Sequence, residues 1–313
     1  MSFKANGKTY ELDPNVRDTL KPDWRMIFRP VKGFNYTLQS PYKSLMFLSK
    51  AEEDLHEHGI TLVGKDILEA GCCYGQRAYL MAKYEGTKVH GIDVDEYLVN
   101  QSIDLNCWNP TDVEFIHNKL SDIRKQVAEQ FPENIRNKVT FETCGMEGYV
   151  TPNPHDMIVS FDVLEHILDL PLAFNQMNNA LKKGGICYHE YNSFFSLNGG
   201  HSLCTLDFIY GHCRLTAKDF ERYIRELRPD EEKTALNFYY KCLNRVTKKD
   251  VLELAEKSGF EVIQFSHRSG YKITDKVKES LEKDILAEVV EHYPNVTIED
   301  LTHDSVQLIL RKK

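Results

Sequence analysis

Between residues 60 and 192, short runs of apolar and β-branched residues alternate with longer stretches of helical periodicity. Strands are predicted at 66–70, 88–93, 138–144, 156–161 and 185–189, and helices at 76–84, at 96–106 and between 162 and 181. Strands that alternate with helices form βαβ units, whose strands pair in parallel. The pattern therefore predicts an α/β domain with a mostly parallel sheet and helices on both faces.

The flanking segments extend this core. Helices are predicted from Pro41 to 58, near 119–131, at 248–258 and at 276–292, and strands at 260–266 and 306–311. We expect four parts: a helical N-terminal cover at 1–59, the α/β core at 60–192, an aromatic-rich cap at 193–245 and the C-terminal part of the sheet at 246–313. Segments as long as the one that follows strand five usually lie over a site.

Composition narrows the function classes. Of 313 residues, 42% are hydrophobic and 27% charged, which excludes a disordered chain. The net charge of -8 disfavours general binding to nucleic acid or to an anionic membrane. The chain contains no leader-like apolar run, no apolar stretch of about 18 residues and no pair of cysteines at CxxC spacing. These absences predict a cytoplasmic protein without membrane insertion, whose cysteines are reduced and buried.

A glycine-containing turn follows the first strand of the core, in the sequence DILEAGCCYG at 66–75. Glycine at 71 and 75 permits a positive φ and close approach of a ligand, and the next helix directs its first amides at that ligand. Asp93 ends the second strand, where a carboxylate can accept both hydroxyls of a ribose. The turn lacks the G-x-G-x-x-G pattern of dinucleotide-binding proteins.

This turn resembles the E/D-x-G-x-G-x-G signature of class I S-adenosylmethionine-dependent methyltransferases, with Cys73 in place of the middle glycine. The likeness continues in order with a VLEH turn at 163–166, an LKKGG turn at 181–185 and the segment 254–262 before the sixth strand. It implies a Rossmann-like, seven-stranded sheet with S-adenosyl-L-methionine as cofactor. The implied cofactor contacts are Glu69 and Gly71 at the methionine end, Asp93 at the ribose, Met146 and Glu147 near the adenine, and also Cys72, Gly75, Val94 and Phe161.

A second group of candidates follows the fourth strand. Asp162, Glu165 and His166 stand at i, i+3 and i+4, so a helix that began there would direct all three the same way. Three roles stay open. His166 could act as a general base for an acceptor hydroxyl. The group could instead bind Mg²⁺ or Mn²⁺, which would polarise that hydroxyl. Finally, the residues could serve only to build the turn.

The same turn resembles the E-x-x-E-H metal turn of ubiquinone-biosynthesis O-methyltransferases and of small-RNA 3′-end 2′-O-methyltransferases. That resemblance implies a metal set of Asp162, Glu165, His166 and one histidine from the segment after strand five. His212 is the first candidate for this histidine and His201 the second. His201 is also a candidate catalytic residue, together with Glu165 and His166.

The aromatic residues of 193–245 suit a sugar ring or a small planar substrate, and a looser resemblance to small-molecule and sugar O-methyltransferases agrees. The predicted function is O-methylation of a hydroxyl on a small-molecule acceptor, such as a sugar or a biosynthetic intermediate. One alternative is an RNA 2′-O-methyltransferase, against which the acidic composition counts. The other is a non-catalytic, cofactor-binding regulator, an alternative that stays open because Cys73 replaces the middle glycine of the signature. The acceptor and the oligomeric state are left open.

Overall fold

A computed structural model describes residues 1–21, 41–94, 121–268 and 279–313 of the chain. Its strands are β1 Ser2–Ala5, β2 Lys8–Glu11, β3 Asp66–Ala70, β4 Lys88–Asp93, β5 Val139–Thr143, β6 His155–Phe161, β7 Leu181–Asn192, β8 Phe260–Arg268 and β9 Ser305–Lys312. Its helices are α1 Pro14–Leu20, α2 Pro41–His56, α3 Gln76–Met81, α4 Glu133–Arg136, α5 Leu170–Ala180, α6 His201–Cys204, α7 Gly211–Arg214, α8 Ala217–Leu227, α9 Glu232–Lys241, α10 Lys248–Lys257, α11 Leu286–Val290 and α12 Ile298–Thr302.

Seven strands form one sheet in the order β5-β4-β3-β6-β7-β9-β8. Strands β3 to β7 pair in parallel, and β9 is antiparallel to both of its neighbours. This confirms the predicted mostly parallel sheet. Because the parallel strands end at one edge, Ala70, Asp93, Phe161 and Asn192 lie along it, and the turns that carry the predicted site residues follow from there.

Successive residues of each central strand face opposite sides of the sheet and enter two different hydrophobic cores. Burial on both faces explains why these strands are nearly continuous apolar runs. On one face, Leu68 and Ile158 pack with Phe174 of α5 and Val251 of α10. The opposite face of the sheet is covered by α2, by α3 and by the segment 121–131. Helices on both faces confirm the α/β architecture.

The N-terminal cover differs from its prediction. Helix α2 lies where expected, but the chain begins with the hairpin of β1 and β2, and 1–59 is therefore not uniformly helical. The turn is Asn6-Gly7, with φ of 52° and 72°. Asn-Gly between alternating residues is a strong hairpin signal, because both residues tolerate a positive φ. This local signal could have predicted the hairpin from the sequence.

The cap is built from three segments rather than from 193–245 alone. Its core joins residues of the hairpin, of 194–243 and of 281–301. Tyr10 stacks on Phe208 with ring centroids 4.7 Å apart, and Phe220 stacks on Tyr239 at 4.0 Å. Arg17 of α1 is buried and donates to both carboxylate oxygens of Glu231, at 3.0 and 2.8 Å. The N-terminal residues therefore pack as part of the cap.

Three predicted helices fall wholly or partly outside the described residues. The helix at 96–106 lies wholly outside them. Of the other two, residues 121–129 and 279–290 are helical, the latter with a π-helical turn at Leu281–Ile285. Within the described part of the chain, no helix is long and apolar enough to cross a membrane.

Candidate active site

The turn after β3 has the backbone that its glycines predicted. Gly71 and Gly75 have φ of 71° and 80°, and Gly75 is the N-cap of α3. A Cβ at Gly71 would lie 2.2 Å from Val163 Cγ2, and one at Gly75 would lie 2.3 Å from Phe141 Cζ. Both positions therefore need glycine twice over, for the positive φ and for the close approach of a neighbouring side chain.

Asp93 closes this turn from the end of β4. Its Oδ2 accepts from the backbone N–H of Cys73 at 2.5 Å, which holds Cys73 at a φ of 50°. Arg124 lies on the other side and donates through Nε to the carbonyl oxygen of Cys73 at 2.9 Å. Burial raises the pKa of Asp93, and the Cys73 hydrogen bond and Arg124 oppose the rise. The carboxylate thus stands at the sheet edge, next to the glycine turn, as a ribose site requires.

Glu69 lies beneath the same turn. It is fully buried and accepts at Oε1 from Arg77 Nε at 2.8 Å, while its Oε2 has no hydrogen-bond partner among the described residues. Arg77 also donates to the carbonyl oxygen of Gly71 at 3.1 Å, and its guanidinium lies 5.1 Å from the centroid of the Phe161 ring. Burial raises the pKa of Glu69 to about 7, although Arg77 draws it down.

The remaining predicted cofactor residues lie in two different places. Val94 and Glu147 both flank Gly145, since a Cβ there would lie 3.1 Å from each side chain, and Met146 beside them is buried. The Cys72 side chain instead packs against β4, where a Cβ on Gly91 would lie 2.9 Å from its Sγ. The backbone N–H of Cys72 donates to the carbonyl oxygen of Ile92 at 3.1 Å and its carbonyl oxygen accepts from the N–H of Gly75 at 2.8 Å, so Cys72 shapes the turn.

These residues suit S-adenosylmethionine. The orphaned Oε2 of Glu69 offers an acceptor to a cationic group, and a buried polar atom without a partner generally requires one. Asp93 stands at the carboxyl end of β4, where the ribose hydroxyls of such a cofactor would lie. The neighbourhood of Val94 and Glu147 would then receive the adenine.

The turn after β6 departs from the predicted helix. Asp162 has a φ of 58°, Leu164–His166 is a single 3-10 turn, and α5 begins only at Leu170. Asp162, Glu165 and His166 therefore do not share one face of an α-helix, as their i, i+3, i+4 spacing predicted. Asp162 turns instead toward β7, where its Oδ1 accepts from Asn192 Nδ2 at 2.9 Å.

Asn192 organises this turn from the end of β7. Besides its contact with Asp162, its backbone N–H donates to Glu165 Oε1 at 3.1 Å. Glu165 is buried, and its Oε2 has no hydrogen-bond partner in the described structure. One residue at the sheet edge thus orients both acids of the turn.

Glu165, His166 and His201 come together beneath the cap. One ligand atom from each lies within 4.8 Å of the other two, and the two imidazole centroids are 5.0 Å apart. We call these residues the Glu165–His166–His201 cluster. Of the predicted metal residues, Glu165 and His166 lie in the cluster together with His201, the second histidine candidate, whereas Asp162 and His212 lie outside it. His212 lies in α7 instead, where its Nε2 is 2.8 Å from the carbonyl oxygen of Phe194.

Burial controls the charges in the cluster. It lowers the pKa of His166 to about 4 and that of His201 well below its ordinary value, so both imidazoles are neutral at pH 7. Burial also raises the pKa of Glu165, and the charge of Asp162 adds to this rise. A general base works best with a pKa near the working pH, so an imidazole near 4 is a weak acceptor for a hydroxyl proton.

Two cations of the site, Arg77 and Arg124, lie outside the motifs that predicted the other site residues. Arg77 stands eight residues after Glu69, in the first turn of α3, where the reasoning considered only the glycines. Arg124 belongs to the long connection between β4 and β5, whose return to the glycine turn depends on the tertiary fold. Only the length of that connection could have indicated from the sequence that one of its residues lies in the site.

Comparisons with known proteins agree with this geometry. A family profile described as a methyltransferase domain matches residues 44–265. No curated protein matches the sequence. Among solved structures, a protein assigned as a sarcosine dimethylglycine methyltransferase from Galdieria sulphuraria is similar at a TM-score of 0.50, with 12% identity and coverage of 86% of both chains.

Two further structures are similar over most of this chain. Magnesium protoporphyrin IX methyltransferase from Synechocystis is 14% identical, with coverage of 96% of this chain and 98% of that one, at a TM-score of 0.49. Phosphoethanolamine N-methyltransferase 2 from Haemonchus contortus is 19% identical, with coverage of 95% and 57%, at 0.46. Likeness at such identities concerns the fold.

Proposed function

The chain belongs to the methyltransferase-domain family, as a class I S-adenosylmethionine-dependent methyltransferase, and from that premise we propose that it methylates a hydroxyl oxygen of a small polar molecule, such as a sugar or a biosynthetic intermediate. The Glu165–His166–His201 cluster is the proposed acceptor side of the site. The glycine turn, Glu69 and Asp93 are the proposed cofactor side.

One observation carries the proposal on the acceptor. At the end of β7 and directly after it, the hydroxyls of Tyr191, Ser193 and Ser196 and the Oδ1 of Asn198 are buried and have no hydrogen-bond partner among the described residues. Buried polar atoms are nearly always paired, with protein, water or ligand. Several unpaired oxygens in one short segment beside the cluster support an enclosed acceptor that brings its own hydroxyls.

The chemistry would be an in-line displacement. S-adenosylmethionine would supply the methyl group of its sulfonium. The acceptor oxygen would bond to that carbon, the carbon–sulfur bond would break with its electron pair left on sulfur, and the hydroxyl proton would pass to solvent. Asp93 and Glu69 would hold the ribose and the methionine ends. The cap would keep bulk water away from the methyl carbon, and catalysis would come mainly from fixing the acceptor oxygen in line with that carbon.

The enclosed cluster counts against the two alternatives. An RNA 2′-O-methyltransferase needs an open, basic approach to a ribose, whereas Glu165 is buried beneath the cap and the chain carries a net charge of -8. A regulator would not need unpaired polar atoms next to its cofactor site. No observation favours either alternative specifically.

The test is transfer of a ¹³C-labelled methyl group from S-adenosylmethionine to a panel of sugars, polyols and hydroxylated aromatic acids. We expect S-adenosylhomocysteine to form with some of them and the label to appear as an O–CH₃ signal by NMR. A label found only on nitrogen or carbon would contradict O-methylation. Tight binding of the cofactor without transfer to any acceptor would favour the regulator.

A further inference from the structure

We propose that Glu165, His166 and His201 bind a divalent transition-metal ion on the acceptor side of the site. This inference deepens the proposed function and rests on it for the role of the metal, but not for the binding itself. The three side chains come from two separate segments, the turn after β6 and the first residue of α6. Their potential ligand atoms nevertheless lie within 4.8 Å of one another.

Two polar side-chain atoms of the cluster have no hydrogen-bond partner among the described residues. The Oε2 of Glu165 and the Nε2 of His201 are buried and make no hydrogen bond in the described structure. Two such atoms on two residues whose potential ligand atoms lie within 4.8 Å of each other indicate a missing binding partner. A water molecule could satisfy one of them, but a cation would satisfy the carboxylate oxygen of Glu165 and the imidazole nitrogen of His201 together.

The surroundings orient the ligands as metal sites require. His166 Nδ1 lies 2.6 Å from the carbonyl oxygen of Cys242. A carbonyl only accepts, so Nδ1 carries the hydrogen and Nε2 of the neutral ring keeps its lone pair. Metal-bound histidines usually donate their other N–H in this way. Asn192 plays the matching part for Glu165, since its backbone N–H holds Oε1.

The donor set selects the class of ion. Two imidazole nitrogens and one carboxylate oxygen suit Mn²⁺, Fe²⁺, Co²⁺ or Zn²⁺, whereas Mg²⁺ and Ca²⁺ prefer oxygen ligands throughout. Of the two ions expected from the sequence, the cluster thus favours Mn²⁺ over Mg²⁺. Three protein ligands leave coordination positions for an acceptor hydroxyl.

The proposed role of the ion is Lewis-acid activation. A bound hydroxyl loses its proton to water more readily, and the resulting oxygen is a better nucleophile for the methyl carbon. The metal keeps its oxidation state, and the electron pair of the broken carbon–sulfur bond stays on sulfur. This role removes the need for His166 to act as the base.

The test uses Mn²⁺ alone, titrated into chelator-treated full-length protein without cofactor or acceptor and followed by electron paramagnetic resonance. We expect one Mn²⁺ per chain at micromolar affinity, with hyperfine coupling to imidazole nitrogen. Glu165→Gln and His201→Asn should each weaken binding by about tenfold or more. His90→Asn is the matched control, since His90 also has a carboxylate neighbour, Glu142 at 3.4 Å, but lies outside the cluster.

The outcomes of this test distinguish failure of the metal site from failure of the proposed function. Equal affinity in wild type and both cluster variants, or the absence of nitrogen coupling in the wild-type spectrum, would overturn the site. The spectrum of the wild type decides the question even if a variant fails to fold. Because the titration needs no methyl transfer, a failed metal site leaves O-methylation standing. Conversely, Mn²⁺ binding without any methyl transfer would refute the proposed function alone.

Discussion

Arg77 and Glu69 form a buried ion pair across the glycine turn, with Arg77 Nε 2.8 Å from Glu69 Oε1. The same guanidinium donates to the carbonyl oxygen of Gly71. One side chain in the first turn of α3 thus ties together the end of β3 and the loop that follows it. These contacts of Arg77 stabilise the shape of the turn.

Replacing Arg77 with methionine should destabilise the protein by about 3 kcal/mol at pH 8, because it leaves the Glu69 carboxylate buried without its cation. Urea unfolding measures the change in the free energy of unfolding. The Arg77→Met/Glu69→Gln double variant should recover more than half of the loss, since no buried charge remains unpaired. A double variant as unstable as Arg77→Met would mean that packing of Arg77 on Phe161, rather than the ion pair, stabilises the turn.

Cofactor affinity should depend on pH through Glu69. Burial raises the pKa of this carboxyl to about 7, so Glu69 is ionised above pH 7 and neutral below it. The ammonium group of S-adenosylhomocysteine favours the ionised form, and its affinity should therefore fall as the pH drops from 8 to 6, by up to about tenfold per pH unit below the pKa. Calorimetric titration across this range measures the dependence.

The Glu69→Gln variant is the control for this dependence. It should bind S-adenosylhomocysteine more weakly at pH 8 and with little change down to pH 6. Asp93, whose pKa is also raised, remains in the variant and reports any contribution of its own. If the variant retained the full pH dependence, Glu69 would not be the group responsible.

The pattern of apolar residues predicted the central sheet well because each strand is encoded by its own short segment of sequence. The predicted strand 66–70 coincides with β3, and 88–93 coincides with β4. Their apolar runs are buried on both faces, which produces a signal independent of distant residues. The fold class followed from the order of such runs alone.

The acceptor side was less predictable because distant residues decide it. Helical spacing could not show that Asp162 adopts a positive φ, a conformation accompanied by its contact with Asn192 thirty positions later. The choice between His201 and His212 likewise depends on the path of the cap chain. Sequence order could rank these histidines but not locate them.

Asp93→Asn should weaken S-adenosylhomocysteine binding by roughly 10- to 100-fold, because a charged acceptor contributes about 1.5–3 kcal/mol per hydrogen bond. Asparagine keeps an oxygen that can accept from the Cys73 N–H, so the turn should persist and the unfolding midpoint should change little. Asp66→Asn is the control at the opposite end of β3 and should bind like the wild type. Wild-type affinity in Asp93→Asn would show that the ribose does not lie there.

Gly71→Ala and Gly64→Ala form a matched pair, since their φ angles are 71° and 72°. Alanine in this left-handed region costs about 1–2 kcal/mol at either position. A Cβ at Gly64 meets nothing within 4 Å, whereas one at Gly71 would lie 2.2 Å from Val163 Cγ2. Gly71→Ala should therefore be the less stable variant in urea and should lose S-adenosylhomocysteine binding, while Gly64→Ala keeps it. Adding Val163→Ala should restore part of the lost stability, and equal losses in the two glycine variants would mean that backbone strain alone, not the Val163 contact, requires glycine at 71.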